Sequence, residues 1–305
     1  MSSVAIGLDL GGTQIKGVVA TWAGDILRRE VRATNDDGTD ARTWAYIAKK
    51  LADHLGHELA IGVSAPGLPA RDRHSIAILP ERLRGMEGLD WTEFLDHGRF
   101  VPVANDAHSA LTGEAWIGAA RGLQNAIMLT LGTGVGGAIL ADGKILRGHL
   151  GRAGHLGHVC LDVAGPPGIV GTPGTLEDCI GNHNVAARTG GLFATTHELI
   201  AAYRTGEPEA VRLWLASIHA LACAIASFVN VLDPEAVILG GGIAQAGDAV
   251  FEPLRAELAR LEWRPAGHAV KLLPATLGEW AGAIGAARDA LLAVGETQRP
   301  ERSAP

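Results

Sequence analysis

Residues 125–146 read NAIMLTLGTGVGGAILADGKIL. Gly132, Gly134 and Gly137 form a GxGxxG match. A dinucleotide-binding fold needs a helix directly after such glycines, so that a pyrophosphate meets the helix N-terminus. Here AILADGKIL alternates and carries an Asp-Gly turn signal, so the pattern predicts a second strand and a hairpin. That excludes the dinucleotide fold, and the P-loop pattern GxxxxGK[ST] is absent. What remains is a strand–glycine–strand unit whose turn exposes backbone N–H groups to a phosphate.

The same unit occurs at the start of the chain. VAIGLDL is a short apolar run ending in an acid, followed by GGT and then IKGVVAT. Two such hairpins predict two related halves rather than a string of modules. Other elements fall between them. Apolar residues at helical spacing predict a helix over ARTWAYIAKKLADHLG, and another over AHSALTGEAWIGAARG. ELAIGVSAPG and RFVPVAND read as strands, the latter ending at Asn105-Asp106. The segment 151–195, rich in Gly, Pro, Thr and His, predicts irregular structure. A long helix is expected from about 207 to 232, then a strand and glycine turn in EAVILGGGIAQAG, a final helix in EWAGAIGAARDALLAV and a frayed tail.

Bulk properties narrow the function. The 305 residues suffice for one large or two ordinary domains, and 47% hydrophobic against 19% charged residues predicts a well-buried core. A net charge of −7 argues against a nucleic-acid partner. Cys160, Cys179 and Cys223 are scattered and odd in number, which suits a reducing cytoplasm rather than a disulfide framework. The N-terminus lacks the flanks of a signal peptide, and the apolar stretch from Ala220 is too short and interrupted to span a bilayer, so no membrane partner is expected.

DLGGTQIKG at Asp9–Gly17 resembles the first phosphate loop of the actin/hexokinase/Hsp70 superfamily. LGTGVGGAIL resembles its second phosphate loop, and ILGGGIAQAG at Ile238–Gly247 its adenosine segment. With SAPGLP, VPVANDAHSALTGEAWIGAARG, the GH that ends GRAGHLGH, and TLED following in order, the chain is similar over nearly its whole length to the ROK family of repressors and sugar kinases. The resemblance implies an α/β fold of the two-lobed, actin-like (ribonuclease H-like) ATPase type, with a cleft between the lobes. The N-terminal lobe is expected at 1–110 plus about 281–298 and the C-terminal lobe at 111–280. It also implies a cytoplasmic, ATP-dependent hexose kinase of the glucokinase type, working with Mg2+, with glucose as the default sugar and a homodimer as the expected assembly. An N-acetylhexosamine, mannose or fructose is the alternative acceptor.

Particular residues carry these roles. An acid after a strand and before a helix suits an N-cap, and Asp106 is placed for that; it is equally placed to be a general base. The resemblance makes Asp106 the base that takes the proton from a sugar hydroxyl, most simply the 6-OH, with Asn105 and Gly67 beside the sugar. It gives Asp9 to magnesium, through water, and Gly11, Gly12, Thr13 and Lys16 to the phosphates. Gly132, Thr133 and Gly134 form the second phosphate turn, and Gly240, Gly241 and Gly242 lie by the adenosine. Of the arginines, Arg82 and Arg84 read as solvated loop residues, and the dispersed tryptophans as core or surface anchors.

His155 and His158 are open to three readings: metal, substrate or packing. Many ROK members place a zinc-binding His before a loop with three cysteines. On that alignment the cysteine positions here are Gly168, Val170 and Thr175, and Cys160 and Cys179 are off register, so no structural zinc is expected. The resemblance then puts His158 and Glu177 on sugar hydroxyls. The family has a glutamate where this chain has His155, which implies altered choice around C1–C2 of the sugar. Since ROK repressors carry a DNA-binding segment ahead of the DxGGT strand and only three residues precede Val4, a non-enzymatic sugar sensor is the less expected reading.

Overall fold

A computed structural model describes residues 4–34, 43–79 and 83–297; Arg82 and the tail from 298 onward lie outside the described residues. The chain divides into two compact units, Met1–Gly122 with Arg147–Arg152 and Glu279–Pro305, and Leu123–Leu146 with Ala153–Gly278.

The first unit is built on a five-stranded sheet. Strands β1 (Val4–Leu10), β2 (Gln14–Thr21) and β3 (Ile26–Ala33) form an antiparallel meander. On the other side of β1, strands β4 (Ala60–Ala65) and β7 (Val103–Asn105) run parallel, giving the order β3-β2-β1-β4-β7. A small pair, β5 (Leu68–Pro69) and β6 (Ile76–Ile78), follows β4. Helix α1 (Thr43–Gly56) buries Trp44, Ala48, Leu51 and Leu55, a one-sided stripe, in a core shared with Ile6, Leu8, Val63 and Val103. Short α2 (Trp91–Leu95) adds Trp91, whose ring lies 6.1 Å from that of Trp44. Helices α3 (Asp106–Ile117) and α10 (Ala281–Thr297) pack against each other, α10 lying on β1 and β4. That approach depends on missing side chains: a Cβ at Gly7 would lie 1.8 Å from the Ala283 carbonyl oxygen, and one at Gly62 2.1 Å from that of Ala286.

The second unit repeats the plan. Strands β8 (Ala126–Leu131), β9 (Val135–Ala141) and β10 (Lys144–Ile145) are antiparallel, and β11 (Ala236–Gly240) and β12 (Lys271–Pro274) run parallel beside β8, in the order β10-β9-β8-β11-β12. Asp142-Gly143, both at positive φ, close the β9–β10 turn as the Asp-Gly signal predicts. Helices α4 (Leu176–Ile180), α5 (Val185–Arg188), α6 (Thr196–Arg204), α7 (Pro208–Leu232), α8 (Gly241–Ala244) and α9 (Asp248–Leu261) complete the unit. Helix α7 runs 25 residues, longer than its apolar part suggests, and is long and apolar enough to cross a bilayer. Its Trp214, Ile218, Leu221 and Ile225 are instead fully buried in the unit's core, with the Trp214 indole N–H donating to the Ala249 carbonyl at 2.7 Å.

Several expectations need adjustment. The lobe boundary drawn at 110 falls inside α3, which stays whole in the first unit because one face of it packs on α10. The region 151–195 is not wholly irregular, since α4 and α5 lie within it. Strand β3 escapes sequence reading because six of the eight residues of ILRREVRA are exposed and half are charged, as befits a guarded sheet edge.

Candidate active site

In the first unit, the C-terminal ends of the parallel strands bring the polar residues together. Asp9 on β1 is in register with Ser64 on β4, and Ala65 with Asn105 on β7. The Ser64 hydroxyl donates to Asp9 Oδ1 at 2.7 Å. Burial pushes the Asp9 carboxyl up to about 6; the Ser64 hydrogen bond and Lys16 pull the other way, while the charge of Asp106 adds to the rise. A Cβ at Gly282, in the first turn of α10, would meet the Asp9 carboxylate at 2.7 Å, so that glycine leaves the acid its place. Lys16, opposite Asp9 on β2, pairs with Glu279 at 3.1 Å. Between them the turn is pinned: the Gly11 N–H donates to the Gln14 carbonyl (2.9 Å), and the Thr34 hydroxyl donates to the Gly11 carbonyl (2.6 Å). Gly12 and Thr13 stand exposed at its tip.

Asn105 and Asp106 divide two tasks. The N-cap of α3 is Asn105, whose Oδ1 accepts from the N–H groups of Ala107 (3.0 Å) and His108 (3.4 Å). Its Nδ2 donates to the Gly67 carbonyl at 3.0 Å. Asn105 is only 5% exposed, so a single Nδ2 hydrogen is left for any ligand. Asp106, the first residue of α3, is exposed, with Oδ1 accepting the Ala107 N–H at 2.8 Å. The capping alternative for Asp106 is thereby corrected: its neighbour caps the helix. His108, two residues on in the same helix, is buried.

In the second unit the glycine turn between β8 and β9 is gripped from outside. Glu177 Oε2 accepts the Val135 N–H at 2.7 Å, and a Cβ at Gly134 would come within 2.2 Å of that oxygen. The Asn182 N–H donates to the Gly132 carbonyl and the His183 N–H to that of Thr133, each at 2.9 Å. His183 Nε2 reaches Asp178 Oδ1 at 3.1 Å. Burial opposes ionisation of Asp178, but hydrogen bonds from Thr175 and His183 outweigh it and hold the carboxyl below its usual range. Arg188 donates to the carbonyls of Gly181 (2.6 Å) and Ile180 (3.3 Å) at the end of α4, and burial lowers its guanidinium to about 10.

The GRAGHLGH stretch runs against β9, where a Cβ at Gly157 would lie 2.0 Å from the Val135 carbonyl oxygen. The rings of His155 and His158 stack at 6.1 Å, and His158 Nδ1 is buried without a partner. The loop that follows is closed by its own backbone. The Gly174 N–H donates to the Pro166 carbonyl and the Leu161 N–H to that of Gly174, while Thr175 caps α4 and donates to Asp178 at 2.6 Å. Among the described residues no group of three or more His, Cys, Asp or Glu side chains is arranged to hold a metal ion.

A cavity of about 500 Å³ opens in the same unit, lined by Gly132 and Thr133 of the turn, by Asn182, by Thr196 and Arg204 of α6, and by Gly242 of α8 among others. Of the 240–242 glycines, Gly241 has φ +84 and would press a Cβ to 2.3 Å from the Leu131 carbonyl oxygen; Gly242 has open space before it. Sequence reasoning overlooked Asn182, His183, Thr196 and Glu279. None lies in a repeated or periodic pattern, and each matters only through a partner distant along the chain.

Trp44, Trp91 and Trp214 are fully buried, in keeping with core anchors, whereas Arg84 is exposed. A sequence profile of the ROK family matches residues 5–292. The chain is 31% identical over 311 residues to a glucokinase of Halalkalibacterium halodurans, covering 92% of each. In structure it is similar to a ROK hexokinase from Thermus thermophilus, with a TM-score of 0.83 and 31% identity over 96% of this chain and 99% of that one. It is also similar to a ROK family glucokinase from Streptomyces griseus crystallised with glucose and AMPPNP, with a TM-score of 0.75 and 30% identity over 95% and 99%. The fold class is therefore the actin-like α/β one, each unit contributing one sheet of the shared topology. From its first strand to its last helix, the chain belongs to the ROK family.

Proposed function

We propose that this chain is an ATP-dependent kinase that transfers the γ-phosphate to the 6-hydroxyl of a hexose, glucose first among them, with Asp106 as general base. Its class is a phosphotransferase with an alcohol group as acceptor. One observation carries the assignment of the base: Asn105 takes over the capping of α3, which leaves Asp106 exposed at the strand end, within electrostatic reach of Asp9. Phosphoryl transfer asks for positioning, charge neutralisation and a proton acceptor. Asp106 accepts the hydroxyl proton as the sugar oxygen bonds to the γ-phosphorus and the bond to the β,γ-bridging oxygen breaks, leaving ADP.

The first unit's turn at Gly11, Gly12 and Thr13, with Lys16, faces the phosphates in this reading, as does the turn at Gly132, Thr133 and Gly134. Asp9 fits magnesium: it is a desolvated hard oxygen donor that also feels the charge of Asp106. When bound, that ion would neutralise phosphate charge. His158, with a buried and unpartnered Nδ1, and Glu177, with Oε1 beyond its bond to Val135, bind sugar hydroxyls. His155, stacked on His158, sets the choice of sugar around C1–C2, where an N-acetylhexosamine, mannose or fructose is the alternative.

The test is ADP release measured with a panel of hexoses and amino sugars. Asp106→Asn lowers kcat by about 10²–10⁴ with KM for ATP little changed. His155→Glu shifts the order of preferred sugars. A parent protein that binds sugar but releases no ADP with any of them is a sensor, and the kinase assignment falls.

A further inference from the structure

Helix α7 carries a cluster that the foregoing roles do not use. His219 and Cys223, four residues apart, share one face of the helix. Glu257 of α9 stands behind them, with Oε2 2.7 Å from His219 Nδ1 and Oε1 accepting from Arg260 at 3.0 Å. The His219 hydrogen bond, together with Arg260, holds the Glu257 carboxyl below its usual range, so it is ionised. An ionised carboxylate can only accept, so His219 Nδ1 carries the hydrogen and the neutral ring keeps a lone pair on Nε2. That lone pair faces the Cys223 sulfur, with Nε2 and Sγ 3.6 Å apart. Solvent reaches the pair: the His219 side chain is 55% exposed and Cys223 is half-buried. Ala216 and Ser227, about one turn to either side, are small and exposed.

The spacing fits a metal. A tetrahedral zinc ion with a sulfur at about 2.3 Å and a nitrogen at about 2.0–2.1 Å sets those two atoms about 3.6 Å apart. A carboxylate holding the far nitrogen of a ligating imidazole is the usual support of such a site, because it fixes the tautomer and the ring and makes the ligand more basic. We propose that His219 Nε2 and Cys223 Sγ form a two-ligand site for a soft divalent cation of the zinc class, with Glu257 as the positioning residue behind the imidazole and water completing the coordination. Sulfur and nitrogen suit zinc and do not suit magnesium, which takes oxygen ligands in octahedral geometry. Burial and the Glu257 charge push the Cys223 thiol up, so the thiol is protonated before the metal arrives. Binding forms the metal–sulfur bond and releases that proton to solvent. The site shares no residue with the proposed sugar and phosphate contacts, so it does not rest on the kinase assignment.

Titration of the full chain with Cd2+ in excess Mg2+, read by the ultraviolet charge-transfer absorption of a metal–thiolate bond, tests the site without requiring turnover. The band saturates at a single equivalent, and Zn2+ displaces it. The chain has three cysteines, so the Cys160→Ser/Cys179→Ser double variant leaves Cys223 as the sole thiol; it keeps both the band and the affinity. Cys223→Ser loses the band. Glu257→Gln keeps it but binds about 10–100-fold more weakly, and His219→Ala binds more weakly still. Zn2+ raises the thermal midpoint of the parent and leaves that of Cys223→Ser where it was. A double variant with no saturable band overturns the proposal, as does a band that persists in Cys223→Ser and so belongs to another thiol. Saturation that needs many equivalents marks scattered surface ligands and overturns it too. Unchanged affinity in His219→Ala reduces the site to an isolated thiol, and unchanged affinity in Glu257→Gln removes the positioning role; either result refutes the arrangement proposed.

Discussion

The two glycine hairpins begin alike and are held in opposite ways. In the first, the carboxylate belongs to the hairpin itself: Asp9 ends β1 and is steadied by Ser64 from the neighbouring strand. In the second, the turn following β8 has no acid of its own, and the carboxylate arrives from α4, where Glu177 accepts the Val135 N–H. The tips differ accordingly. A Cβ at Gly12 meets nothing within 4 Å, whereas one at Gly134 runs into Glu177. A repeated strand–turn–strand unit has thus been specialised by what packs against it, one copy carrying a strained charge and the other lending its backbone to a remote one.

Removing the remote carboxylate should have the largest effect. Glu177→Ala leaves the Val135 N–H without its charged acceptor, and chemical denaturation is expected to show a loss of about 2–3 kcal/mol, with most of it recovered in Glu177→Gln. Gly134→Ala acts through the same contact. It displaces the end of a flexible side chain rather than backbone, so its cost is smaller, about 1–2 kcal/mol. The double variant Glu177→Ala/Gly134→Ala should then be little worse than Glu177→Ala alone; additive losses would mean that the two do not share one contact.

The first hairpin responds with the other sign. Asp9 has a folded-state pKa of about 6 against an ordinary 3.8, so between those values the folded chain binds more protons than the unfolded one. Stability from this group therefore falls as pH rises from about 4 to about 6, and stays lower above that. Asp9→Asn removes the penalty, and the ligand-free variant is expected to gain about 2–3 kcal/mol at pH 7 and nothing at pH 3.5, even as turnover is lost. A stability difference that does not change between those two pH values would refute the strained-charge account. The smallest change is Gly12→Ala, within about 0.5 kcal/mol of the parent by denaturation, because its methyl enters open space.

Much of the fold was legible. The Asp-Gly turn and the alternation in AILADGKIL identified the β8–β9–β10 hairpins, and the long helix expected from about 207 to 232 matches α7 closely. Strand β3 and helix α9 were missed, the former for its charged edge and the latter for a pattern interrupted by Pro253. At the site, the position of Asn105-Asp106 after a strand was readable, but which of the two caps α3 was not. Either side chain can serve a cap, and the choice follows from the Gly67 carbonyl that engages Asn105.

Read alone, the sequence determined the two hairpins, many of the buried strands and longer helices and the residue types available to a phosphate, because each follows from repeats two or about four residues long and from turn chemistry between chain neighbours. Only the tertiary structure decided which charges are strained, which turns are gripped and which buried polar groups lack a partner. Those depend on desolvation and on pairs such as Asp9 with Ser64 and Val135 with Glu177, which are 55 and 42 residues apart, and no local pattern encodes contacts at that distance.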